Sequence, residues 1–257
     1  MQMKKISYIL LMVASLGVAP SCTTHYRVSD ITRTRLLIDQ QYDGAIDQKV
    51  SDFMRPFQLE VDKEMSPVIG RAAMPLESFK PESPLSNLLP DVLVWAGSQY
   101  GEKPDFGVYN IGGIRASLAQ GDITIGDIYD LAPFENKICF LTMSGEQVLQ
   151  LLRQIVKTGG EGISSEVRMV ADSQKQLKRA TISGKEIVPT SSYRVATIDY
   201  LSHGNDGLLA FKDATDRREL KDAKDLTREL IMGYIRHQTA QGKAIESKIE
   251  GRYIIEE

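Results

Sequence analysis

The stretch Tyr109-Asn110-Ile111-Gly112-Gly113-Ile114-Arg115 sets an amide and a guanidinium around two adjacent glycines, at the end of an apolar run. Glycines there bend the backbone tightly and leave Asn110 and Arg115 on a loop. Further on come Pro133-Phe134-Glu135-Asn136, and much later Ala196-Thr197-Ile198-Asp199-Tyr200-Leu201 followed by Gly204-Asn205-Asp206-Gly207. An amide, a guanidinium, two aromatic rings and a carboxylate on glycine-rich loops are the materials of a nucleotide pocket. Taken singly, each has a plainer role. Phe134 can plug the core, Tyr200 can pack at a strand end, and Asp206 between glycines can form a turn. Arg115 can pair with a surface acid, and Asn110 can be an ordinary turn residue.

The chemistry that would act on such a ligand has no motif here. Two-metal hydrolysis of a phosphate ester needs carboxylates, imidazoles and an amide around ions about 3.5–4 Å apart. The chain has 3 histidines, His25, His203 and His237, widely spaced. His203, near Tyr200 and Asp206, reads as a solvated loop residue before it reads as a ligand contact. Asp127, Asp130 and Glu135 form a loose acidic group that a solvent-facing turn explains equally well. No Gly-x-Ser-x-Gly elbow, P-loop or dinucleotide fingerprint occurs. Cys139 lies in the apolar run Lys137-Ile138-Cys139-Phe140-Leu141, where a buried, inert thiol is expected.

At 257 residues the chain is long enough to bury a substantial core. A formal charge of −3 with no basic stripe argues against nucleic acid as a partner. Lys4 and Lys5 precede a short apolar segment, Ile6 to Val18, and Ala19-Pro20-Ser21 lead into Cys22. The segment is too short for a spanning helix and reads as an export signal over 1–21. A cysteine placed there resembles a bacterial lipoprotein signal, which implies lipidation of Cys22, a membrane anchor and an exported protein, periplasmic or surface-facing. Simple cleavage at the same point is the alternative. Residues 22–33 would form a tether and 34–257 one domain. Without Cys22, Cys139 has no partner for an intramolecular disulfide.

The elements that must position these loops follow from periodicity. Leu36-Leu37-Ile38 is a strand candidate. Residues from about 44 to 63 read as a helix, with Ile46, Val50, Phe53 and Met54 at helical spacing. Val68 to Leu76 alternates as a strand, and Ser86 to Gln99 reads as a helix with Pro90 in its first turn. A strand at 105–109 feeds the Asn110 loop. Residues 121–124 are a short strand or turn, and 126–131 a helical turn that Asp127 helps to cap. Ile138 to Met143 is a strand. Ser144-Gly145-Glu146-Gln147 is a capping box opening a helix to about Val156. Gly159-Gly160-Glu161-Gly162 reads as a flexible loop. Residues 167–169, 179–182 and 186–188 form a small antiparallel set turning at Ser183-Gly184-Lys185. Tyr193 to Ile198 is a buried strand, 222–240 a helix and 249–255 a last strand. Strands and helices mix without strict βαβ alternation, so an α+β fold is expected, with layered mixed sheets and flanking helices.

In combination, the Asn110 to Arg115 motif, Gly121-Asp122-Ile123-Thr124-Ile125-Gly126-Asp127-Ile128-Tyr129, Pro133 to Asn136, Met143 to Leu149, Tyr193 to Thr197 and Gly204 to Gly207 resemble the C-terminal domain of the 5′-nucleotidase / UDP-sugar hydrolase family. The resemblance covers roughly residues 30–257. It implies a substrate-recognition domain that works beside a separate N-terminal metallophosphoesterase domain holding two metals. It further implies that Phe134 and Tyr200 clamp the base, with Tyr200 where the family usually has phenylalanine. By the same resemblance Asp206 binds ribose hydroxyls, Arg115 contacts the phosphate end, and Asn110, Gly113 and Asn136 line the site. Stacking contributes about 1–3 kcal/mol per base, a carboxylate accepts from vicinal hydroxyls, and a guanidinium forks onto phosphate. The family's Asp-x-His, Gly-Asn-His-[Asp/Glu] and Gly-His-x-His metal motifs are absent from the sequence. Divalent metals are therefore expected on a partner chain and no cofactor on this one. One departure concerns phosphate: Phe79 stands near the family's other substrate arginine, and Ser86 replaces a glycine. Lys80 is the nearest cation, and a flexible ammonium does not reproduce a bidentate fork.

The expected function is therefore nucleotide or nucleoside recognition for a 5′-nucleotidase-like phosphohydrolase whose metals sit on another chain. Three readings remain open at this point: a stand-alone nucleoside-binding lipoprotein, an enzyme with its own Asp/Glu metal site, and a degenerate domain kept as an interaction surface.

Overall fold

The computed structural model describes residues 26–37, 39–42, 44 and 47–256. The leader at 1–21, Cys22, His25, Ile38 and Ile46 lie outside the described residues. Contacts divide the chain into two compact units, Met1–Ser51 and Asp52–Glu257. In the first, residues 26–37 are exposed and without regular structure. Leu36 and Leu37 therefore form no strand, since no neighbour hydrogen-bonds their backbone among the described residues.

The elements run α1 (Gln48–Met65), β1 (Val68–Ala72), α2 (Pro84–Gly97), β2 (Phe106–Tyr109), β3 (Gly121–Thr124), α3 (Ile125–Leu131), β4 (Ile138–Ser144), α4 (Gly145–Thr158), β5 (Gly162–Ile163), β6 (Val167–Asp172), β7 (Leu177–Ile182), β8 (Lys185–Glu186), β9 (Ser192–Ile198), α5 (Asp199–Ser202), β10 (Thr215–Glu219), α6 (Thr227–Ala240) and β11 (Tyr253–Glu256). They build α+β layers, as expected. A 5-stranded sheet has the order β10-β4-β9-β2-β5, a 4-stranded one β11-β6-β7-β8, and a 2-stranded one β1-β3.

The core is laid on β4, whose Ile138, Cys139, Phe140, Leu141 and Met143 are fully buried. Helix α4 covers it with Val148, Leu151, Leu152, Ile155 and Val156, on one face of the helix. Its capping box forms as read: Ser144 Oγ accepts from the Gln147 N–H, and Gln147 Oε1 accepts from the Ser144 N–H. Burial pushes the Cys139 thiol up to about 11. It is an inert core residue, as its sequence setting suggested.

Several boundaries differ from the sequence reading for physical reasons. Helix α2 starts earlier because Ser83 caps it and Pro84 takes the first turn, so Pro90 falls inside the helix. Ser86 completes that cap by accepting from the Ser83 N–H, a task that needs a side-chain oxygen. β1 stops at Ala72, and Leu76 instead bridges Leu118. The last strand begins only at Tyr253; the buried Glu82 carboxylate accepts from the Glu250 N–H before it and from the Tyr253 N–H at its start. The glycine-rich segment 160–163 is buried rather than loose, and its last two residues pair with β2.

Candidate functional site

Three loops meet because of strand direction. β4 and β9 are antiparallel, with Ile138 opposite Ile198, so the loop entering β4 lies beside the loop leaving β9. β2 and β9 are parallel, with Phe106 opposite Val195, so the loop leaving β2 emerges at the same end. That end therefore carries Asn110 to Arg115, Pro133 to Asn136 and Asp199 to Gly207. Between them lies a cavity of about 300 Å³ lined by Asn110, Gly112, Gly113, Arg115, Phe134, Asn136, Tyr200 and Asp206. The seven residues singled out in the sequence thus line one concavity.

Asp206 is its hub. One carboxylate oxygen accepts from the Tyr200 hydroxyl at 2.9 Å, the other from the Asn110 amide at 3.0 Å. The carboxylate reaches that point because the turn is left-handed at Gly204, Asp206 and Gly207, with φ of 81°, 55° and 79°. Aspartate is among the few side chains that tolerate this region. Turn former and carboxylate are here one role. The hydrogen bond to Asp206 pushes the Tyr200 phenol above its ordinary value and keeps it a donor.

Asn110 is only 5% exposed, and with its amide nitrogen committed to Asp206, its Oδ1 is buried without a hydrogen-bond partner among the described residues. Gly113 makes that placement possible: a Cβ there would stand 2.6 Å from Oδ1. An acceptor buried without a donor costs stability. The two rings are also poised for contact, Phe134 being 47% and Tyr200 39% exposed. The Arg115 guanidinium lies 5.9 Å from the centre of the Phe134 ring, within cation–π reach, and makes no ion pair among the described residues.

Two supports escaped the sequence reading. Arg228, at the start of α6, is nearly buried; it donates to the Pro133 carbonyl, pairs with Glu135 at 3.5 Å and lies over the Tyr129 ring. With the Thr227 N–H donating to the Asn136 carbonyl, it fixes the Phe134 loop. Glu161 is 4% exposed; its Oε2 accepts from the Ile111 N–H at 2.7 Å, and its Oε1 pairs with Lys80 at 3.0 Å. Lys80 also donates to the Thr158 carbonyl and does not line the cavity. No local signal marks either support, since each partner is remote in sequence.

His203 turns away to Glu219 at 3.2 Å and is not part of the cavity wall. Asp127 caps α3, accepting from the Thr124 N–H at 2.7 Å. Among the described residues no group of three His, Cys, Asp or Glu side chains could hold a metal ion. No helix of the described residues is long and apolar enough to cross a membrane.

Comparison with known proteins is consistent with this geometry. Residues 68–213 match the family described as 5′-nucleotidase, C-terminal domain. Cell wall protein Lmo0130 of Listeria monocytogenes is 30% identical over 188 residues, which is 67% of this chain and 24% of that protein. A 5′-nucleotidase of Vibrio cholerae is 28% identical over 166 residues, 63% of this chain and 30% of that one. The chain thus spans about a quarter to a third of these relatives' length. The crystal structure of a 5′-nucleotidase precursor from Thermus thermophilus superposes with a TM-score of 0.70 at 24% identity, over 81% of this chain and 43% of that one. The fold is therefore shared. The match over most of the sheet and all three site loops establishes that the chain belongs to the 5′-nucleotidase C-terminal domain family.

Proposed function

We propose that this chain is the nucleotide- or nucleoside-recognition half of a 5′-nucleotidase-like phosphohydrolase, and that a separate metallophosphoesterase chain supplies the divalent metals and the hydrolytic step. Phe134 and Tyr200 hold the base between them, Asp206 takes ribose hydroxyls, and Arg115 steers the phosphate end toward the partner. Asn110, Gly113 and Asn136 complete the wall. The observation that carries this reading is the convergence of two half-exposed rings and an oriented carboxylate on one cavity. Site and metals on two chains suit this chemistry, because groups that converge only on assembly exclude premature hydrolysis. The proposal includes export and anchoring through a lipidated Cys22.

Phosphate release from AMP, with Mn²⁺ or Mg²⁺ present, tests the division of labour. The purified chain alone releases none, and release appears when a metallophosphoesterase recovered by pull-down from the native membrane is added. Chelator-sensitive release by the chain alone contradicts the proposal. AMP binding with no catalytic partner recovered transfers the chain to the stand-alone binding class.

A further inference from the structure

Among the described residues one cation, Arg115, lines the cavity, and the carboxylate of Asp206 shares the wall with it. The other cation that the sequence offered for phosphate, Lys80, is neutralised by Glu161 at 3.0 Å and held by the Thr158 carbonyl at 3.1 Å. Glu161 is itself buried and bonded to Ile111, the residue next to Asn110. The wall and its immediate backing therefore sum to no net positive charge. A phosphate dianion brought here meets one guanidinium that already leans on the Phe134 ring, without the second fork that phosphate recognition uses.

We infer that the site in this chain reads the nucleoside and is nearly blind to the phosphate, with Glu161 as the residue that sets this selectivity by silencing Lys80. This rests on the proposed nucleoside-binding role of the cavity and sharpens it. Arg115 orients the phosphate without holding it, and the attraction for its charge is left to whatever metals a partner brings. Glu161 is a positioning residue, acting through Lys80 and through the Ile111 N–H.

Isothermal titration of the purified chain with adenosine and with AMP reads the inference as a ratio of dissociation constants. One exposed guanidinium contact corresponds to AMP binding about two- to fivefold tighter than adenosine, with little change in that ratio between about 50 and 200 mM salt. AMP binding tenfold or more tighter, with an advantage that salt erodes, overturns the inference and leaves the nucleoside site standing. Binding of neither ligand removes both.

Two substitutions of opposite sign separate selectivity from damage. Glu161→Gln keeps an oxygen for the Ile111 N–H but frees the Lys80 charge, and should shift the ratio about three- to tenfold toward AMP. Lys80→Met leaves Glu161 uncompensated and should shift it away from AMP by a similar factor. A structural lesion weakens both ligands together and leaves the ratio unmoved, an outcome that also overturns the assignment. Circular dichroism of both variants confirms that folded protein is being titrated.

Discussion

Two polar networks in this molecule are built from similar groups and end up opposite in character. Around Arg252 every guanidinium nitrogen has a partner, although Asp91 and Glu250 keep 29% and 31% of their side chains exposed. The guanidinium, almost fully buried, donates to the Asn87 and Ile163 carbonyls, forks onto Asp91 at 2.8 and 2.7 Å and reaches Glu250 at 3.1 Å. Next to it, Glu82 accepts from the Asn87 amide and from the Glu250 and Tyr253 N–H groups. Around Asp206 the network is left open: two rings are half-exposed and one amide oxygen has no donor among the described residues. The difference teaches where stability and recognition are separately kept. A saturated buried network fixes the chain terminus against α2. At the end of the central sheet, the two half-exposed rings and the Asp206 carboxylate face an open cavity.

The largest effect expected from breaking this contrast is on the closed side. Arg252→Met removes a buried guanidinium, stranding the Asn87 and Ile163 carbonyls and leaving the partly exposed Asp91 without its fork, and should cost about 3–5 kcal/mol of stability, read by denaturant unfolding, with nucleoside affinity of the folded fraction unchanged. On the open side the outcome should invert. Asp206→Asn, which tolerates the same left-handed turn, should lose about 1.5–3 kcal/mol of nucleoside affinity and only about 1 kcal/mol of stability, the latter because the Asn110 amide and the Tyr200 hydroxyl no longer share a charged acceptor. Phe134→Ala should lose about 1–3 kcal/mol of affinity, again with little change in unfolding, because half of the ring is already exposed.

The smallest expected effect concerns acid. Hydrogen bonds from Arg194 and Arg218 hold Glu102 below the ordinary carboxylate value of 4.5. A carboxylate lowered in the folded state stabilises it above the unfolded value and loses that contribution as pH falls through the lowered one. Stability should therefore decline below about pH 4.5, and Arg194→Gln should flatten that limb of the pH profile in thermal unfolding.

The open network was largely legible in the sequence, and its supports were not. Asn110, Arg115, Phe134 and Asp206 each have a plainer reading taken singly, and it is their joint order on glycine-rich loops, with the family resemblance, that brings them together. The Ser144 cap was equally readable, since both partners lie within one helical turn. The pairing of Glu161 with Lys80 joins residues 81 apart and follows only from the fold. Arg228 is similar: on a terminal helix it reads as a solvated charge, and only docking of α6 beneath the Phe134 loop gives it a carbonyl to hold.

The central claim is that the cavity at the end of the β2-β9-β4 sheet binds a nucleoside through Asp206 and the two rings. Thermal unfolding of the chain and of Asp206→Asn, each with and without adenosine, tests it most directly. Ligand at about 100 times its Kd adds roughly 2.7 kcal/mol, and at about 2–4 °C per kcal/mol this raises the midpoint of the parent by about 5–10 °C. The account predicts that rise for the parent and its loss in the variant at the same concentration. An unshifted parent, or a variant that shifts as far as the parent, would contradict it.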